Sequence, residues 1–277
     1  MEKLRVGKIP YANLFPIFYT LETAFDCSSY EFVEGVPSRV NRMLREGAVD
    51  ISPSSSIEYL RDAAFYRIVE GHSISSRGPV GSVFLFSERP PGELAGATIA
   101  VTAQSETSVA LLRIILERFH EVRSTFIVSE APEDAGAAAF LLIGDDALKY
   151  AKGQGARGRE AEHPCPLPPA PCPVAYDLGE LWYRHTGLPF VFALWIVRPG
   201  IGEKAPALDA FLKDLDAAKE RALRALPEIA RHSPLRAFMS EGEILDYWSK
   251  LDYELTAEHR KGLALFERYL KELSLVP

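Results

Sequence analysis

Up to about residue 200 the chain alternates short β-prone apolar runs with stretches of helical periodicity, and nothing else in it constrains the fold as much. Strands separated by helices pair mostly in parallel, since each helix carries the chain back across the sheet before the next strand begins. Residues 4–9, 30–34, 49–51, 66–69, 82–87, 98–101, 125–128, 139–143 and 189–197 read as the strands. They fall into two series, one ending at Ser87 and one running from Thr98 to Val197, with a helical tail behind them. The simplest arrangement is two α/β lobes. Lobe 1 takes residues 1–90 plus 200–277 and lobe 2 takes 91–199, with the chain crossing near 87–97 and back near 197–203. Both sheets should be largely parallel and covered by helices, and two lobes that face each other can enclose a ligand by hinge closure.

In open α/β sheets ligands bind beyond the carboxyl ends of strands, and here those ends share one chemistry. The first strand runs into Tyr11 and Asn13; Asn13 can either cap the following helix or contact a ligand. Ser54, Ser55 and Ser56 crowd a strand-to-helix junction, where one serine suffices as a cap and the rest are free for an anion. The run from His72 to Ser87 carries Ser75, Ser76 and Ser82 around a turn built from Gly78, Pro79 and Gly81. Its first half reads as a polar loop whose glycines let the backbone approach a ligand, and its second half as a buried strand. Ser105, Thr107 and Ser108 open a long helix with Leu111, Leu112, Ile115 and Phe119 as its core stripe. Gly144 and Asp145 follow another strand; Asp145 and Asp146 suit either a helix cap or acid–base work.

Composition narrows the ligand. A formal net charge of -7 disfavours nucleic acid or an anionic membrane surface as partner, while leaving a small anion open. No apolar run reaches the roughly 18 residues of a membrane helix. The first residues lead straight into a strand rather than a signal peptide, so a cytoplasmic location is expected. The three cysteines cannot form a disulfide framework. His163, Cys165 and Cys172 sit in a proline-rich loop at residues 156–173, but their spacing matches no zinc pattern and a fourth ligand is missing. Neither a metal nor an organic cofactor is expected. The tail shows a capping box, Ser240 with Glu243, ahead of Ile244, Tyr247, Trp248 and Leu251, and Thr256 heads a last helix.

With these loops in place, the chain resembles the chorismate dehydratases of the futalosine route to menaquinone. The likeness rests on Ile9-Pro-Tyr-Ala-Asn13, Val36-Pro-Ser-x-x-Asn41, Asp50-x-x-Pro-x-Ser-Ser-Ile-Glu-Tyr59 and Ser73-x-Ser-Ser-x-Gly-Pro-Val-Gly-Ser82. It continues through Thr107-Ser-x-Ala-Leu-Leu112, Leu142-Ile-Gly-Asp-Asp-Ala147, Tyr176-Asp-Leu-Gly179 and Gly187-Leu-Pro-Phe-Val-Phe192. The resemblance implies a two-lobed, periplasmic-binding-protein-like (type 2) fold with the cleft between lobes. It also implies dehydration of chorismate to 3-[(1-carboxyvinyl)oxy]benzoate, with Asn13 and Ser82 as the catalytic pair. Two departures stand out: His72, where an acidic residue is commoner, and a longer proline-rich segment.

The chemistry agrees with that expectation. Loss of water aromatises the ring, so the protein need only orient the leaving groups and place dipoles around them. Apart from His72, no His or Cys occupies a candidate loop as an obvious base, so the proton acceptor is either another protein group or the substrate's own enolpyruvyl carboxylate. Two rivals remain open on sequence grounds: a non-catalytic binding protein for a carboxylate solute, and the naphthoate-forming sister enzyme of the same route. The latter's N-terminal loop resembles Pro-Cys-Pro-Asn, absent here. A monomer or homodimer is expected.

Overall fold

The first strand is β1, Leu4–Lys8, whose alternation buries Leu4 and Val6 completely. The computed structural model describes residues 2–159 and 173–277, without the side chains of 154–159. β1 pairs in parallel with β2, Tyr30–Glu34, and with β3, Ile51–Ser55. Helix α1, Phe15–Ala24, and helix α2, Pro37–Arg45, connect these strands, and α3, Ser56–Arg61, follows β3. Pro53 is tolerated inside β3 because β1 pairs with that strand only at Ile51. Strand β4, Arg67–Ser76, lies at the far edge of this sheet.

The second sheet opens with β5, Val83–Ser87, and continues through β6, Thr98–Thr102, β7, Thr125–Ser129, β8, Ala139–Ile143, and β9, Val174–Asp177. Helix α4, Glu106–Ile114, follows β6; α5, Gly144–Arg159, follows β8; and α6, Leu178–Thr186, follows β9. The chain then returns through β10, Phe190–Val197. Strand order is β2-β1-β3-β10-β4 in one sheet and β7-β6-β8-β5-β9 in the other. The fourth strand of each, β10 or β5, runs antiparallel to its neighbours.

This order corrects the expected crossings. The strand at 83–87 belongs to the second sheet and the one at 190–197 to the first, so the chain crosses between Ser76 and Val83 and returns between Thr186 and Phe190. An apolar run carries no direction, and both crossing strands insert against the grain of the sheet they join. The expected largely parallel sheets survive as four strands against one in each.

The tail, α7, Ala205–Arg224, α8, Leu226–Ala230, α9, Glu241–Ser249, and α10, Ala257–Glu272, begins by packing α7 and α8 on α1. The Ser240–Glu243 capping box forms as expected. Backbone of Asp252 and Tyr253 bonds to Ser75 and Ser73, covering the open edge of β4. Beneath the first sheet, fully buried Asp50 is gripped by Arg5, Arg198 and Lys204 at 2.9, 2.7 and 2.9 Å. The proline-rich run with His163, Cys165 and Cys172 lies outside the described residues.

Candidate active site

A cleft partly open to solvent lies where the two sheets meet, walled mostly by apolar side chains with a few hydroxyls and one amide among them. Its walls come from every segment that the strand order brings to this edge. The β1–α1 loop supplies Ile9, Tyr11, Asn13 and Leu14, β3 supplies Ser55, and the crossing segment supplies Val80 and Ser82. The second sheet adds Ser105 and Ser108 at the head of α4, with Ile143 and Gly144 at the end of β8. Ser82 therefore reaches the cleft from the amino end of an antiparallel strand, not from a carboxyl end as expected.

Asn13 does not cap α1. The cap position is Leu14, which makes no side-chain bond to the helix, and the Asn13 Oδ1 is buried with no hydrogen-bond partner. A buried unsatisfied amide oxygen costs about 1–3 kcal/mol, so its place at a cleft wall points to a ligand. The loop that holds it is fastened from three sides. Tyr253 donates its hydroxyl to the Asn13 carbonyl at 2.7 Å, Trp248 Nε1 donates to the Ala12 carbonyl at 2.9 Å, and the Ala12 N–H donates to Asp145 Oδ1 at 3.0 Å.

Ser82 is buried, and its Oγ accepts a bond from the hydroxyl of Tyr247 at 3.1 Å. Ser55 is arranged alike: its Oγ accepts from Asn41 Nδ2 at 2.7 Å. Ser105 caps α4, accepting from the Ser108 N–H at 3.2 Å and donating to Ser108 Oγ at 2.9 Å. Across the cleft the Tyr11 hydroxyl donates to Gln104 Oε1. The Tyr11 ring lies against Gly144, whose φ of 58° and tight contact leave no room for a Cβ. Burial first, then the fields of Asp146 and Asp145, raise the Tyr11 pKa and keep that phenol neutral.

Seven of the expected contact residues thus meet at the cleft: Tyr11, Asn13, Ser55, Ser82, Ser105, Ser108 and Gly144. The others are turned elsewhere. Ser54 bonds to Ser52 inside β3, Ser56 donates to the Val191 carbonyl, and Ser75 bonds to Ser73. Ser76 donates to the Gly78 carbonyl, and Thr107 accepts from the Ile57 N–H. Gly81, at φ 74°, makes room for Tyr247 and Lys250 rather than for a ligand. The polar loop expected at 72–76 is the buried second half of β4, its hydroxyls satisfied by neighbours instead of water.

Two groups behind the cleft escaped the sequence reading. Asp177 caps α6 through the N–H groups of Gly179 and Glu180, and also accepts from Val80 and Gly81 at 3.0 and 2.7 Å. It holds the crossing segment that carries Ser82, and burial raises its pKa against the pull of those four donors. The other is the aromatic set Tyr247, Trp248 and Tyr253, read from sequence only in part and as core. The available signal was that a buried Tyr or Trp needs a partner for its polar tip.

No charged side chain lines the cleft among the described residues. An anion there meets hydroxyls, one amide and the amino ends of α4 and α5. Among the described residues there is also no cluster of three or more metal-ligating side chains, and no helix is long and apolar enough to cross a membrane.

A family model described as menaquinone biosynthesis matches residues 4–272. A chorismate dehydratase of Thermus thermophilus is 31% identical over 270 residues, 96% of this chain and 94% of its own. Among solved structures, a protein from Archaeoglobus fulgidus superposes with a TM-score of 0.77 at 17% identity, covering 99% of this chain and 98% of that one. An alkanesulfonate-binding protein from Xanthomonas axonopodis pv. citri, bound to MOPS, superposes with a TM-score of 0.68 at 15% identity, covering 100% and 95%. These structures share the two-lobed, periplasmic-binding-protein-like fold.

Proposed function

The chain belongs to the menaquinone biosynthesis family, and from that footing we propose that it is a chorismate dehydratase, forming 3-[(1-carboxyvinyl)oxy]benzoate and water. The observation that carries this reading is the 31% identity to a chorismate dehydratase along nearly the whole chain. The cleft supports it. Chorismate is a compact dianion, and the cleft offers neutral donors at several points without a fixed cation that would trap the product.

In this reading the helix amino ends and the serine hydroxyls hold the two carboxylates, while Asn13 and Ser82 hold the reacting edge of the ring. Dehydration breaks one C–H and one C–O bond; the electron pair from C–H forms the new ring double bond as hydroxide departs and gains a proton. Ser82 is suited to donate a hydrogen bond to the oxygen that leaves, stabilising charge as it develops, while the unpartnered Oδ1 of Asn13 can accept from that hydroxyl and orient it beforehand. Tyr11 makes a poor base, its phenol being held neutral and turned toward Gln104. The proton from carbon goes first to the substrate's own enolpyruvyl carboxylate and from there to the departing hydroxide, so that water leaves and both product carboxylates stay ionised. A cytoplasmic monomer or homodimer fits a catalyst for a polar metabolite.

The test is direct. Purified protein is mixed with chorismate, the loss of its absorbance is followed, and the product is analysed by mass spectrometry. A product lighter by one water supports the reading. Saturable binding with no turnover would replace it with that of a carboxylate-binding protein.

A further inference from the structure

We infer that Tyr247, on the helical tail, is a positioning residue that turns the proton of the Ser82 hydroxyl into the cleft; the inference rests on the dehydratase reading above. Tyr247 is buried on α9, and its hydroxyl lies 3.1 Å from Ser82 Oγ. Each of the two hydroxyls has one proton, and only one of them can lie on the line between the oxygens. If Ser82 donated, the phenolic proton would be left inside the protein without an acceptor, since Tyr247 has no other hydrogen-bond partner among the described residues. An orphaned buried donor is costly. If Tyr247 donates, both groups are satisfied once a ligand is present, because Ser82 lines the cleft and its free proton can meet a ligand oxygen.

Burial raises the Tyr247 pKa, so the phenol stays a donor throughout the neutral range. The tyrosine ring is fixed as well. It packs against Gly81, where a Cβ would sit 3.3 Å from Cδ2 of the ring. The same device recurs at Ser55, whose oxygen receives a proton from buried Asn41 and whose own proton is likewise left free. Two cleft hydroxyls, each backed by a buried donor, present protons rather than lone pairs. That is the polarity required by a departing hydroxyl or a carboxylate, and the opposite of what a cationic ligand would need. A serine with a free rotor would spend part of its time turned the wrong way.

The experiment is a double-mutant cycle in turnover, with wild type, Tyr247→Phe, Ser82→Ala and the pair assayed on chorismate, each well below its melting temperature. Tyr247→Phe removes one oxygen and keeps the ring. In the wild-type background it should lower kcat about 10-fold with little change in KM, the cost of a mis-set donor that acts on the transition state. In the Ser82→Ala background it should have no further effect on kcat. Equal losses in both backgrounds would mean a general structural role and would overturn the inference, as would wild-type kcat in Tyr247→Phe. A folding defect scales both backgrounds alike and so counts against it too. Failure of the dehydratase reading itself shows separately, as absence of turnover in the wild type.

Discussion

Replacing Asn13 by Ala and by Asp separates a ligand contact from a helix cap. Asp caps a helix as well as Asn does, whereas Ala does not. A capping role therefore predicts a stable, active Asp variant and an unstable Ala variant. The structure predicts the reverse ranking, because Asn13 makes no bond to α1 and its Oδ1 is unpartnered. Asn13→Ala should lose the hydrogen bond its Oδ1 accepts from the substrate hydroxyl, about 0.5–1.5 kcal/mol, or roughly 2- to 13-fold in kcat/KM. Asn13→Asp places a carboxylate against an anionic substrate. At about 4 Å and an effective dielectric of about 20 the repulsion is ~4 kcal/mol, roughly a thousandfold in kcat/KM. Asn13→Ala removes a buried, unpartnered oxygen and should therefore leave the melting temperature of the ligand-free protein unchanged or higher, where a capping role predicts a fall. Steady-state kinetics on chorismate with parallel thermal melts measures both quantities. Near-wild-type turnover in Asn13→Asp would refute the argument.

Ser82→Ala should lower kcat/KM roughly 10- to 100-fold through a lost hydrogen bond to the departing oxygen, and should also lower the melting temperature, because buried Tyr247 loses its acceptor; an unchanged rate would contradict this. Asp50→Asn leaves Arg5, Arg198 and Lys204 facing a neutral amide, and removing one partner of a buried ion cluster costs about 3–5 kcal/mol; a denaturant melt that does not shift would count against it. Burial pulls the pKa of His72 below its ordinary value despite the nearby Asp216. The unfolded chain therefore binds that proton first, so stability is full above the ordinary imidazole value and declines as pH falls toward the folded one. Urea melts at pH 7.5 and 5.5 should show that decline, and it should shrink in His72→Gln.

Local signals located most elements. The apolar run at 139–143 and the alternating run at 30–34 match β8 and β2 residue for residue, and Gly187 ends α6 in the left-handed conformation that glycine favours. What misled was chemistry whose partner lies far away in sequence. The serines of β4 look like a wet loop until the backbone of Asp252, Tyr253 and Glu254 is seen to bond to Ser73 and Ser75. Asp177 reads as part of a helix opening, and only the fold reveals that it also holds Val80 and Gly81. The direction of β5 and β10, and hence which lobe owns each, depends on the opposite sheet edge and leaves no mark on either segment.

The position of β10 bears on the order in which the molecule is assembled. All five strands of the second sheet lie within one uninterrupted stretch, from Val83 to Asp177. The first sheet cannot close from its own early residues. Among the described residues β4 hydrogen-bonds to no strand except β10, so its place in the sheet depends on residues made after the whole second sheet. On a ribosome, where the amino-terminal part emerges first, every strand of the inserted sheet is available before the strand that closes the host sheet. The cleft, whose wall includes Phe192 and Ala193, is complete only once residues 190–197 lie between β3 and β4.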